Sequence, residues 1–430
     1  MGTEIYLKIE GITLDWSKNS MGSDHGVLFQ KTDRCRIRSD QIDYEYVAQH
    51  PEEDVSVSET AFVRPLSRIL PRLNLVGHTI DAAREEYEAI VRESLEIAED
   101  DDSGCERNSL MSFDEFCAFV CRQPISSLDD TAVDYQLANR DEVAKGRLAS
   151  DEAEISRIPR SDRSDLYWSE RTYFGERVCI LNPYSMLQVF GQHEGNAGAS
   201  VTWHFGPLID SGWENEKAFR ADARRDQTML IATEGTSDSR ILAHALALMR
   251  PDIADFFRFV DLEEPHPFWG AGNLVKFAEG LVRIDVHNKV IFLLDNDGEG
   301  RDAYRRLQRI NLPPNMRAML LPDCEAFRHF PARGPDGVSV CDINGRAAAI
   351  ECYLDLSHPA AEVQWINYKK EIDDWHGALV NKRQYADDFM RQTTASIQRN
   401  GYDMSKINEV LKALVKETET LAVDVIGAEG

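Results

Sequence analysis

Long apolar runs are missing from this sequence. No stretch of its 430 residues approaches the roughly 18 consecutive apolar side chains of a membrane-spanning helix, so none is expected. Paired cysteines are missing as well. The eight cysteines, at 35, 105, 117, 121, 179, 324, 341 and 352, form no Cys-x-x-Cys. Cys117 and Cys121 stand four apart in FDEFCAFVC, on one helix face, and read as buried core thiols. That usage suits a reducing cytoplasm. A basic excess is also absent: 48 Lys and Arg stand against 74 Asp and Glu, a net charge of −26. A uniformly anionic surface repels nucleic acid and anionic lipid. Contact with nucleic acid then requires a local basic groove or a bound cation. The opening MGTEIYLKIEG has no basic stretch followed by an apolar one, so no secretory leader is expected. Tyr6 stands where a myristoylation site needs Ser or Thr. No G-x-x-x-x-G-K-[ST] occurs, which excludes a P-loop ATP site.

What is present describes a globular chain: 43% hydrophobic and 28% charged residues, long enough for two or three domains. The first thirty residues alternate apolar and polar in EIYLKIEGITLDW, as strands or a hairpin do. In TIDAAREEYEAIVRESLEIA, Thr79 is placed to cap a helix carrying Ile80, Ala83, Tyr87, Ile90 and Val91 on one side. Residues 1–225 therefore read as an α+β region. Near residue 226 the pattern changes. TMLIAT, FFRFVDL, KVIFLLD and MRAMLL are runs of strand length, and helical segments separate the first three and follow the third. That order predicts an α/β domain with a Rossmann-like parallel sheet over 226–360. Residues 361–430 read as a helical C-terminal segment.

In such a sheet, ligands bind beyond the carboxyl ends of the strands. Acidic residues stand there. Glu234 ends the first apolar run, in IATEGTSDSR, and Asp295 and Asp297 end the third, in IFLLDNDGEG. Three hard oxygen donors gathered at one rim suit Mg²⁺ or Mn²⁺. The plain alternative is that these acids only cap the helices that follow.

TEGTSDSRIL followed by IFLLDNDGEG resembles a Toprim domain, the metal-binding module of primases, topoisomerases, RNase M5-like maturases and overcoming-lysogenization-defect (OLD) nucleases. Glu234, Asp295 and Asp297 match its Glu and Asp-x-Asp. Asp238 matches an acidic residue of the nuclease branch. NGRAAAIECYLDL is similar to a late helix of the OLD type, and makes Glu351 a further ligand. Lys369 and Lys370 follow where such sites carry a cation. The resemblance implies a site for two Mg²⁺ or Mn²⁺ ions, catalytic roles for Glu234, Asp295 and Asp297, and hydrolysis of nucleic-acid phosphodiesters. LKIEGITLDWSKN with DHGVLFQ, LPRLNLVGHTIDAAREEYE and VTWHFGPLIDSGW resemble bacterial HEPN/Toprim-associated proteins, which are linked to anti-phage defence. Without a P-loop the chain departs from full OLD proteins, and no primase or topoisomerase signature accompanies the Toprim-like motifs.

Charge is unevenly spread: residues 1–225 carry −17, 226–360 carry −6 and 361–430 carry −3. The acidic N-terminal region is expected to regulate or to bind a protein partner. Arg301, Arg305 and Arg309 recur every four residues after Asp297 and share a helix face. Arg301 and Arg305, with Lys369, are candidate phosphate contacts; a solvated helix exterior is the alternative. Arg72 and His78 have the spacing of a HEPN ribonuclease pair, but a turn or packing role suits them better. GAGN, at 270–273, suits either a phosphate cradle or a tight strand–helix connection. The acidic stretch around Gly104 lacks the closing Glu of an EF-hand, since Leu110 stands in its place. Two functions remain open: a nuclease acting on DNA or RNA, and a non-cleaving sensor or adaptor that binds nucleic acid or nucleotide. Self-association is compatible with either.

Overall fold

The computed structural model describes residues 2–100, 109–160, 166–260, 270–335, 337–357, 360–369 and 374–429. The acidic stretch around Gly104 lies outside them. The chain divides into two compact units, Met1–Asp222 and Ala223–Gly430.

The first unit is built on a five-stranded antiparallel sheet. Its strands are β1 (Glu4–Ile9), β2 (Ile12–Lys18), β3 (Arg34–Arg36), β4 (Thr60–Pro65) and β5 (Ser200–His204), in the order β2-β1-β5-β4-β3. β1 and β2 form the hairpin expected from alternation, turning at Glu10 and Gly11 with φ of 46° and 89°. Ile5, Leu7 and Ile9 point into the core. There Trp203 packs edge-on against Phe205 and Phe219. Thr79 Oγ1 accepts from Ala82 N at the start of the helix Ile80–Asp100, and Ala83, Tyr87, Ile90 and Val91 are buried as the spacing predicts. Cys117 and Cys121 are half-buried where buried thiols were expected, and desolvation pushes Cys121 up to about 11 and Cys117 up to about 12. Arg72 is fully buried and donates to Val27 O and Phe29 O, so its guanidinium holds a turn.

The second unit opens with four parallel strands: β6 (Met229–Ala232), β7 (Phe257–Phe259), β8 (Lys289–Leu294) and, after the short β9 (Asn296–Asp297), β10 (Met316–Leu320). Their order is β10-β8-β6-β7, and every pairing is parallel. Helices Thr236–Met249, Ala271–Arg283 and Gly298–Arg309 make the connections. β8 is an apolar run buried from Val290 to Leu294, as an interior strand of a parallel sheet requires. Leu274, Val275, Ala278, Ala303 and Leu307 pack on it from the flanking helices.

The C-terminal segment is mostly helical, as its sequence suggests, but differs from that reading at its start. Residues 361–430 do not begin as helix. β14 (Val363–Lys369) and β15 (Asp374–Leu379) form an antiparallel pair in a sheet of order β12-β11-β14-β15 with β11 (Phe330–Gly334) and β12 (Gly337–Cys341). The reason is a period of two: Val363 and Trp365 are buried while Gln364 and Ile366 are exposed. β13 (Ala347–Ala348) pairs with β9. Helices occupy most of the chain from Lys382 on, and the last, Ser405–Glu429, is tied to β10 by Arg317, which pairs with Glu417 and Asp424.

Candidate functional site

The strand order creates the site. The chain leaves β6 to build β7 on one side, then returns to build β8 on the other. Between the carboxyl ends of β6 and β8 the connections diverge and leave a crevice, where such sheets bind ligands. Glu234 follows β6 and Asp295 follows β8. Asp295 N donates to Glu234 Oε1 at 3.0 Å, which joins the two strand ends directly. Below them Thr233 Oγ1 lies 2.8 Å from Ser239 Oγ and donates to Gly235 O, fixing the turn into the helix.

A cavity of about 570 Å³ opens at this point. Glu234, Asp238, Asp295 and Glu351 line it, together with Arg240, Lys382 and Arg383. Asp238 Oδ2 accepts from Gly235 N at 3.0 Å, at the first turn of its helix. Glu351 is buried on the short turn Ile350–Tyr353, more than a hundred residues along the chain from Asp238.

The electrostatics are those of carboxylates set around one cavity, Glu351 buried and Glu234, Asp238 and Asp295 half-buried. Burial pushes Glu234 up to about 8, helped by the charges of Asp297, Asp238 and Glu299. Burial pushes Asp238 up to about 7, with Glu351 adding repulsion. Asp295 is raised well above the ordinary carboxylate range by burial and then by Asp238, Glu234, Asp297 and Glu351. Like charges in a low-dielectric pocket produce this pattern, and a cation relieves it. Among the described residues, no three His, Cys, Asp or Glu side chains are gathered closely enough to hold an ion as they stand. The donor set nonetheless fits a hard dication in kind: every acidic group at the cavity is an oxygen donor, and their mutual repulsion is what a dication offsets.

Asp297 sits beside the cavity. Its Oδ1 accepts from Glu299 N at 2.9 Å and Gly300 N at 2.8 Å, so it caps the helix Gly298–Arg309. It still acts on Glu234 and Asp295 through its charge. Gly300 is required here, because a Cβ on it would come within 2.1 Å of Asp295 O.

The expected phosphate contacts fare differently. Arg301 donates to Asn296 Oδ1 at 3.2 Å and pairs with Asp323 at 3.3 Å, so it braces the loop after β8. Arg305 is exposed and outside the cavity lining. Lys369 ends β14; its side chain, like all of Lys370, lies outside the described residues. The cations at the cavity are instead Lys382, Arg383 and Arg240. Lys382 acts on Asp238, whose proton affinity its charge lowers. Sequence reasoning passed over Lys382 and Arg383 because NKRQY looks like any surface turn. The adjacent basic pair, after a strand and opening a helix, was the available signal. Gly270 heads the helix Ala271–Arg283 with φ of 81° and its N donates to Glu234 O at 3.1 Å, while residues 261–269 before it lie outside the described residues.

The comparisons bear on the other half of the chain. The family described as HEPN/Toprim N-terminal domain 1 matches residues 1–227. That span exceeds half the sequence, and the chain belongs to this family. No curated protein and no solved structure matches it.

Proposed function

We propose that the second unit is a Toprim-type, Mg²⁺- or Mn²⁺-dependent nuclease of the OLD branch, working in the cytoplasm in anti-phage defence. The observation that carries the reading is the convergence of Glu234, Asp238, Asp295 and Glu351 on one cavity at the switch point of a parallel sheet. Like charges gathered at one cavity are costly, and they persist where a function needs them. The family name links the first unit to HEPN and Toprim proteins, which is consistent with nuclease-like or defence-associated work.

Glu234, Asp295, Asp297, Asp238 and Glu351 would hold the ions. Bound Mg²⁺ or Mn²⁺ supplies Lewis-acid activation of water and charge neutralisation at a scissile phosphate. The chain's own groups do the rest. If Glu234 serves instead as general base, Asp295 N fixes its Oε1 and leaves the other carboxyl oxygen to take a proton from water. Lys382 and Arg383, which line the same cavity, meet a phosphodiester there.

The test is purified protein with Mn²⁺, Mg²⁺, Ca²⁺ or EDTA on plasmid, single-stranded DNA and total tRNA. Cleavage with Mn²⁺ or Mg²⁺, and none with Ca²⁺ or EDTA, is expected. Cleavage that survives EDTA would end the metal reading. Binding without cleavage under every condition would place the chain with sensors or adaptors.

A further inference from the structure

The sheet β12-β11-β14-β15 has two unlike edges. At one, Gly377 N of β15 donates to Arg346 O beside β13. At the other, β12 has no strand on its outer side among the described residues. Edge strands usually carry a charge, a proline or a bulge that discourages pairing. β12 reads Gly-Val-Ser-Val-Cys and carries none of these. Val338 is 55% exposed and Val340 65% exposed.

Register settles which backbone groups are open. Pro331 lies opposite Val340, and Arg333 opposite Val338. Pro331 has no N–H, so its pair with Val340 belongs to the non-hydrogen-bonded set. By alternation the Arg333–Val338 pair belongs there too, while Ala332–Ser339 is hydrogen-bonded. The N–H and C=O groups of Val338 and Val340 therefore point away from β11, into the open edge. Their two side chains lie on the same face of the sheet.

We propose that β12 pairs antiparallel with β12 of a second copy of this chain, about a two-fold axis at Ser339. In this register Val338 meets Val340 of the second copy and exchanges both hydrogen bonds with it. Ser339, whose own backbone groups serve β11, falls in the central non-hydrogen-bonded pair. The symmetric register thus uses each outward-facing group of the two valines and places valine against valine across the joint. A two-fold contact needs one patch that complements itself, and this strand meets that requirement. Charge permits this occupant at the strand itself. Two copies of a chain of net charge −26 repel over most of their surface, and an uncharged strand brings no like charges face to face. The nearest guanidinium, Arg333, is already engaged by Glu362 at 2.5 Å.

Sedimentation velocity of the full-length protein over a micromolar concentration series, under reducing conditions, is the first test. A dimer that dissociates on dilution is expected, and the double variant Val338→Asp, Val340→Asp should be monomeric with an unchanged far-ultraviolet circular dichroism spectrum. Cysteine trapping then reads the register. In a Cys341→Ser background, Ser339→Cys faces itself in a non-hydrogen-bonded pair, where Cα atoms lie about 4.5 Å apart and a disulfide can close. Val338→Cys faces Val340 instead. Mild oxidation should yield a covalent dimer from Ser339→Cys well above the background protein, and little from Val338→Cys. A wild-type monomer at every concentration, a dimer undisturbed in the aspartate variant, or equal trapping at both positions would overturn the proposal.

Discussion

Asp295 feels every other carboxylate of the site. Burial and the charges of Asp238, Glu234, Asp297 and Glu351 all raise its proton affinity. Asp295→Asn should therefore do two opposite things. It should abolish metal-dependent cleavage, because an amide is a poor ligand for a hard dication and cannot balance its charge. It should also raise the stability of the cation-free protein at neutral pH, because the amide carries no charge for burial and four neighbouring carboxylates to oppose. Cleavage assays with Mn²⁺ and melting curves in EDTA read the two effects; a variant that cuts at wild-type rate would remove Asp295 from the site. The pH dependence has a definite sign. Glu234 moves from 4.5 to about 8 on folding, and Asp238 from 3.8 to about 7. A carboxyl that holds its proton more tightly when folded contributes stability that is complete below its unfolded pKa and lost as pH rises through its folded one. The cation-free protein should lose this contribution between about pH 4 and pH 8. Glu234→Gln should flatten the slope, and Mg²⁺ should flatten it in the wild type. Parallel melting curves for wild type and Glu234→Gln in EDTA would show that the cluster does not act this way. Among the cations, Lys382→Ala should impair cleavage more than Arg305→Ala, since of the two Lys382 alone lines the cavity. Assay of the two variants side by side decides it.

The turn from β8 through β9 into the helix Gly298–Arg309 gives Asp297 two duties that can be separated. As a cap it accepts two backbone N–H bonds, a role Asn fills about as well as Asp. As a charge it acts on Glu234 and Asp295. Asp297→Asn should keep stability within about 0.5 kcal/mol and lose most Mn²⁺-dependent cleavage. Asp297→Ala should also lose about 1 kcal/mol of stability with the cap. If Asp297→Asn cuts normally, capping is all that Asp297 does. Element by element, the sequence was most readable where local pattern and burial agree. β6 and β8 were visible because interior strands of a parallel sheet are continuous apolar runs, and their end positions located Glu234 and Asp295. Glu351 was not accessible to spacing; resemblance alone pointed to it, because its approach to Asp238 depends on long-range folding. The β14–β15 pair was misread as helix since its alternation covers few residues before the charged KKEIDD interrupts it. Arg301 shares a helical face with Arg305, yet periodicity could not foresee that Asn296 and Asp323 would engage it.

Across the whole molecule, charge divides the work. Residues 1–225 carry −17 of the −26. Many cations of the first unit are already engaged: Arg64 with Asp33, Arg122 with Asp151 and Glu154, Arg147 with Glu170, Arg157 with Glu115, and Arg171 with Asp130. A guanidinium that neutralises a neighbouring carboxylate has little left for a phosphate, and releasing it exposes the carboxylate to the same phosphate. A long duplex track along this unit would be repelled, because at physiological salt charges act over only about 8 Å and no extended basic run offsets the local excess. The first unit is therefore expected to serve control or a protein partner, and the cavity cations of the second unit to supply the substrate's electrostatic grip. A fragment of residues 1–222, which has its own sheet and core, should bind duplex DNA and structured RNA no better than a neutral control protein. In the full-length protein, Lys382→Ala and Arg383→Ala should each reduce the salt slope of substrate binding by up to about one, the share of one phosphate contact. Removing residues 1–222 should alter the control or specificity of cleavage while leaving its Mn²⁺ requirement unchanged. Tight, salt-sensitive binding by the isolated fragment, with a slope untouched by Lys382→Ala and Arg383→Ala, would reverse the assignment and make the acidic unit the reader of the substrate.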